Sequence, residues 1–203
     1  MLKKIVMGSL ITSGIVFAQS AVGVNVNKDD LEIEGTLDSR NLAMLQTSST
    51  IFLGDFDFIN IDNDNKKAKL VGVGIGATNK LEGVDGVELT FGAKFILSHT
   101  EDTKKDIDKW FSAIPLSAMV RYSFPPLMFN IPQIAIEGKV LYAPGALAFG
   151  DSDSYSEFRL SGDIEMIENV KIYAGYRNIM TGYPTDTNYI FSNGFYGGLK
   201  FTY

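Results

Sequence analysis

Apolar and polar residues alternate with a period of two along most of this chain. The final segment is the clearest case: Phe195, Gly197, Leu199, Phe201 and Tyr203 share one face, and Tyr196, Gly198, Lys200 and Thr202 share the other. A period of two predicts an extended strand with two unlike faces. The pattern recurs in segments 170–177, 157–165, 134–142, 116–123, 87–97, 71–76, 52–58 and 31–37, and a short Val22, Val24, Val26 alternation precedes them. One face of these segments is apolar or aromatic. The other, apart from glycines such as Gly72 and Gly74, carries charges of both signs: Glu32, Glu34, Asp55, Asp57, Glu88, Glu137, Glu157, Asp163 and Glu165 against Lys94, Arg121, Lys139, Arg159, Lys171, Arg177 and Lys200.

Two architectures accommodate such a pattern. In a soluble sandwich the apolar faces meet in a core and the charges face water. In a membrane barrel the apolar faces meet lipid and the charges line the interior. The connectors favour the barrel. Long polar stretches at 181–193, 143–154 and 99–109 alternate with shorter links at 166–169, 124–132 and 78–86, which reads as outer loops alternating with tighter periplasmic turns. The stretch 38–50 is long where a short turn belongs, and a turn with a small helical piece is expected there. Counting back from a last strand that ends in the periplasm predicts an all-β, antiparallel, up-and-down transmembrane barrel of about ten strands. Eight is the alternative if the weak N-terminal pair stays outside. Pro115 has no N–H for a ladder, so one strand is expected to start at Leu116, with 110–115 in the rim.

The N-terminus adds a location. Lys3 and Lys4 precede an apolar run from Ile5 to Phe17, and Val16 and Ala18 stand at −3 and −1 of a cleavage site. A basic start, a short apolar core and such a site form a secretory signal peptide. We therefore expect residues 1–18 to be a cleaved leader and 19–203 to be the barrel. The run falls short of the roughly 20 apolar residues of a membrane-spanning helix. About 185 of the 203 residues then remain, which suits one domain. Loss of the two lysines takes the formal charge from −6 to about −8, and an acidic chain argues against nucleic acid as a partner. The sequence has no cysteine, so an exported domain must hold together without disulfides. A closed barrel can, because every strand is hydrogen-bonded on both sides.

The glycine-alternating Val71-Gly72-Val73-Gly74-Ile75-Gly76, the segment Ala174-Gly175-Tyr176-Arg177 and the closing Gly194-Phe195-Tyr196-Gly197-Gly198-Leu199-Lys200-Phe201-Thr202-Tyr203 resemble the YfaZ family of small outer-membrane proteins. The likeness follows strand order through the mature chain. It implies an outer-membrane barrel and brings no catalytic residues. The last strand also resembles the signal read by the barrel-assembly machinery, with Tyr203 as terminal aromatic and Phe195, Leu199 and Phe201 behind it.

Candidate chemistry is sparse. His99 is the one histidine, and Ser98 beside it would point to the opposite face of a strand, so the pair is no dyad; a solvated loop histidine is expected and the chain reads as non-catalytic. Asp62 and Asp64 offer hard oxygen ligands, as do Asp151 and Asp153, but the full calcium-loop motif is absent. Solvated acidic turns are expected there, with no metal and no cofactor. Tyr183, Tyr189, Phe191 and the apolar stretch 144–150 are expected to extend the interfacial aromatic belt. Mixed charges inside a small barrel should pair across it, since unpaired buried charges are costly. That predicts a largely side-chain-filled interior, with a narrow, weakly cation-favouring pore as the alternative. The partners expected are outer-membrane lipid, lipopolysaccharide and the assembly machinery.

Overall fold

The computed structural model describes residues 20–39, 50–63, 66–103, 107–125, 132–184 and 186–202. The expected leader, the segment 40–49 thought to carry a helical piece, Asp64 and Tyr203 lie outside the described residues. The strands are β1 (Ala21–Val26), β2 (Asp30–Asp38), β3 (Ile51–Asn63), β4 (Lys66–Lys80), β5 (Val87–Asp102), β6 (Ile107–Ala113), β7 (Leu116–Ser123), β8 (Ile134–Ala143), β9 (Ala148–Gly150), β10 (Ser154–Ile167), β11 (Val170–Tyr183) and β12 (Asp186–Thr202). They form one antiparallel sheet, and the β4–β5 pairing closes it.

The wall is a closed barrel of ten staves, because β6 with β7 and β8 with β9 each make one. Ala113 faces Ile96 and Leu116 faces Ala93 in a single register along β5. Between them Pro115 lacks only its donor, and its carbonyl still accepts from the Lys94 N–H at 3.0 Å. The strand expected to start at Leu116 is thus the lower part of a longer one, and Trp110 to Ala113 belong to the wall rather than the rim. After Ala143 the chain makes a single 3-10 turn at Gly145–Leu147, and β9 then pairs with β6. The weak N-terminal pair lies inside the barrel: β1 bonds to β2 on one side and β12 on the other.

Ala21 pairs with Thr202, so the two ends of the wall meet at one rim, the terminal end. The β1–β2, β3–β4, β5–β6, β9–β10 and β11–β12 connections lie at the other rim, the hairpin end. The expected alternation of long outer loops with short turns does not hold. Most of 99–109 and 181–193 is strand, continuing β5 into β6 and β11 into β12. β2 ends and β3 begins at the terminal end, as β7 ends and β8 begins, so residues 39–50 and 124–133 join strands there. Polar residues suggested loops, but these segments keep their alternation and have a partner strand to bond.

The outer surface explains why. Along β5, Val87, Leu89, Phe91, Ala93, Phe95 and Leu97 face outward, Phe91 with 63% of its surface exposed. Ten steps of about 3.4 Å, tilted about 45°, give about 25 Å, the height of a transmembrane barrel's apolar band. Phe52, Phe56, Val73, Ile75, Leu160, Ile172 and Leu199 continue the band around the barrel. Beyond it, toward the hairpin end, the two faces exchange character. On β3, Asp55 and Asp57 point in, whereas two residues further on Ile59 is buried and Asn60 faces out. On β4, Lys67 and Lys69 face out while Ala68 and Leu70 are buried. On β5, Lys94 is buried inside the band, and past Ile96 the outward positions are His99 and Glu101. The β12 strand changes phase through a bulge: Ile179 opposes Ser192 and Met180 opposes Ile190, so Phe191 is the extra residue and both Phe191 and Ser192 are buried.

The barrel interior as candidate functional site

Three levels succeed one another inside the wall. At the terminal end is an open, charged vestibule of about 590 Å³, lined by Glu34, Asp55, Glu88, Glu165, Lys171 and Lys200 among others. Within it Lys200 pairs with Glu34 at 2.9 Å, and Arg121 holds Glu137 at 3.1 Å and Asp163 at 2.7 Å. Lys139 lies 3.8 Å from Asp55.

The middle level is a dense ion network. Lys94 pairs with Asp55 at 2.8 Å and with Asp57. The glycine row on β4 makes this room: a side chain at Gly72 would collide with Lys94 and Asp57, and one at Gly74 with Asp55. Arg159 donates to Glu32 at 2.9 Å and to Glu157, which also accepts from the Tyr155 hydroxyl at 2.7 Å. Arg177, fully buried, donates to Asp30, to Glu32, to Asn25 at 3.0 Å and to Ser192 at 3.1 Å. Each charge taken from water here lies beside an opposite charge, and all but Asp57, which has its ion pair with Lys94 alone, also make directed hydrogen bonds, the condition under which buried ions are tolerated.

The third level, at the hairpin end, is apolar. Ile59, Ile61, Leu70, Ile96, Phe111, Leu141, Tyr155, Ile179, Tyr183, Tyr189 and Phe191 form one buried cluster. Phe191 meets Tyr189 edge-on at 5.0 Å between centroids, and Phe111 at 5.8 Å, within the range where aromatic pairs attract beyond their buried area. Lys66 and Lys109 sit 4.5 Å from the Tyr189 and Tyr183 ring centroids. This corrects one expectation: Tyr183, Tyr189 and Phe191 do not extend an interfacial belt but fill the barrel. The signal was present in the alternation of 179, 181 and 183 and of 189 and 191, obscured by the polar residues between them.

All sixteen charges expected inside lie on the inward-facing positions of their strands. Reasoning from sequence missed Asp30 and Asn25, which complete the Arg177 site; both continue the inward parity of Glu32 and Gly23. Phe195, Leu199 and Phe201 face outward, Phe195 with 83% of its surface exposed. His99 stacks on Trp110 at 4.2 Å on the outer wall and hydrogen-bonds Asp108 at 3.0 Å, while Ser98 points inward and donates to the Lys69 carbonyl. Asp62 lies opposite Lys67 on the outer wall, and Asp151 accepts from the Trp110 N–H at 3.1 Å. Among the described residues no three carboxylates or histidines gather as a metal site.

No curated protein matches the chain. Among solved structures, a bacterial polysaccharide outer membrane secretin aligns over 90% of this chain and 69% of its own, at 8% identity and a TM-score of 0.41. The family model described as "YfaZ precursor" matches residues 2–203. With that match running from strand β1 through β12 and beyond, the chain belongs to the YfaZ family.

Proposed function

We propose that this chain is an exported, non-catalytic outer-membrane β-barrel protein of structural or surface role, with an interior closed by its own side chains. The observation that carries this reading is the apolar cluster packed inside the hairpin end, above a middle level of paired charges. The apolar band of about 25 Å supports insertion in a bilayer, and the leader-like residues 1–18 and the family's description as a precursor support export. Outer-membrane lipid would contact the band, with lipopolysaccharide at its upper edge. The barrel-assembly machinery would read Phe195, Leu199, Phe201 and Tyr203.

The test is gel mobility of the outer-membrane fraction with and without boiling, followed by planar-bilayer recording. A heat-dependent shift with no steady current is the expected result. Protein found soluble in the periplasm would end the membrane reading. The vestibule favours a second reading, a narrow porin-like channel, and steady current from the unaltered protein would establish it in place of the first. A lipid-modifying activity has only His99 to rest on, and a change in lipid A or phospholipid profile on His99→Ala would be needed to revive it.

A further inference from the structure

We infer that the barrel holds a latent cation path along the β1, β2, β11 and β12 wall, with Arg177 as its gate. The inference rests on the closed-barrel reading above and says where that closure is thinnest.

The apolar cluster draws on β3, β4, β5, β6, β8, β10, β11 and β12, but none of its residues comes from β1 or β2. Those two strands have 6 and 9 residues, whereas the flanking β12 and β3 have 17 and 13. The wall is therefore low at the β1–β2 hairpin, and a polar column replaces the apolar filling there. From the vestibule a small cavity of about 50 Å³ reaches inward to Glu34, Arg159, Tyr173 and Lys200. Asn25 bridges this level to the next, donating to Tyr173 at 3.1 Å and to Glu32 at 2.9 Å. Arg177 then ties Glu32 to Asp30. Above it Asn27 donates to Asp30 at 2.7 Å and to Ser192 at 3.1 Å, and the exposed Asp29 next to it accepts from Asn63 at 3.0 Å. Polar groups thus run from the vestibule to the solvent at the hairpin end, and the Arg177 guanidinium, above that of Arg159, closes the column.

Electrostatics sets the sign. Arg177 stands between Asp30 and Glu32, and Arg159 also holds Glu32 from the vestibule side. Truncating Arg177 removes the cation from Asp30 and leaves Glu32 with Arg159, so the gap of side-chain size becomes net negative and favours cations over anions. A cavity opened at Phe191 is walled by the Phe111 and Tyr189 rings and exposes no carboxylate pair, so it should carry no ions.

The experiment compares full-length wild type, Arg177→Ala and Phe191→Ala in planar bilayers, each first shown folded by its heat-dependent mobility. Asn25→Ala, a smaller truncation in the same column, is recorded alongside, so that the question survives if Arg177→Ala does not fold. The expected result is a silent wild type and a silent Phe191→Ala. Arg177→Ala should give discrete cation-selective steps at least about tenfold above the wild-type baseline, and Asn25→Ala smaller steps of the same selectivity. Folded but silent Arg177→Ala and Asn25→Ala would overturn the path while leaving the closed barrel intact. Current in Phe191→Ala equal to that in Arg177→Ala would overturn the route. Current in the wild type, unchanged by either substitution, would overturn both the closure and the gate.

Discussion

The terminal half of the barrel keeps Lys94, Asp55 and Arg121 inside and Ile75 and Phe91 outside, whereas the hairpin half keeps Ile59 and Phe111 inside and Asn60, Lys69 and Glu101 outside. The same strands run through both halves with the same period of two. On the proposed membrane reading, what changes is the medium on the far side of the wall. Against hydrocarbon, apolar outward residues are stable and the interior can be polar if its charges pair. Against water, the wall behaves as an ordinary sheet, and the interior becomes a dry core stabilised at roughly 25 cal/mol per Å² of apolar surface buried. Sidedness is thus set by height along the barrel axis and not by strand identity.

This contrast can be broken most severely from within either half. Phe111→Ala should cost about 3–5 kcal/mol by opening a hole in the hairpin-end core. Glu32→Ala should cost a comparable ~3–5 kcal/mol in the other half, by leaving Arg159 and Arg177 underpaired. Both are read as shifts in the urea midpoint of the folded, heat-modifiable band; a loss under 1 kcal/mol at either site would show that its half is not packed as described. The boundary between halves can be located on one strand face. Phe91→Arg, near the middle of the band, should destabilise by about 2–4 kcal/mol, while Glu101→Arg, facing out beyond it, should stay within about 0.5 kcal/mol. Equal effects at the two positions would place the band elsewhere. A smaller effect is expected from Gly74→Ala, about 1–3 kcal/mol, because the methyl meets Asp55. A neutral Gly74→Ala would mean that the Lys94–Asp55 pair has room to shift. On the same outer wall as Glu101, Lys67→Ala should likewise stay within about 0.5 kcal/mol.

Much of the wall could be read in advance. The favoured count of ten and the outward row on each strand follow from period-two alternation and from the need to pair every edge, and the pairing of β1 with β2 and β12 decides ten over eight. Much of the hairpin half resembles loops in sequence because its outward residues are polar: Asp62, Lys67, Glu101 and Asp108 look like turn chemistry when taken alone. The marks of the crossing were there in the apolar doublets Phe58-Ile59, Leu70-Val71 and Ile96-Leu97, where alternation stumbles by one residue. Such doublets are uninformative until both neighbouring strands are seen to stumble at the same height. Asp30 was passed over for a similar reason, since Asn27-Lys28-Asp29-Asp30 reads as a tight turn, while in the fold Asp30 is the first inward residue of β2 and a partner of Arg177.

The sequence by itself determined most strands of the terminal half, their two faces and the mixed charges that must lie inside, because a period of two is a local constraint, and it left the number at ten or eight. Only the tertiary structure decided that the interior is open at one end and packed at the other, and that Arg177 stands between Asp30 and Glu32. Those outcomes depend on strands far apart in the chain reaching the same height: Phe111, Tyr155 and Phe191 meet only when the barrel closes, and Arg177 reaches Asp30 across 147 positions of sequence.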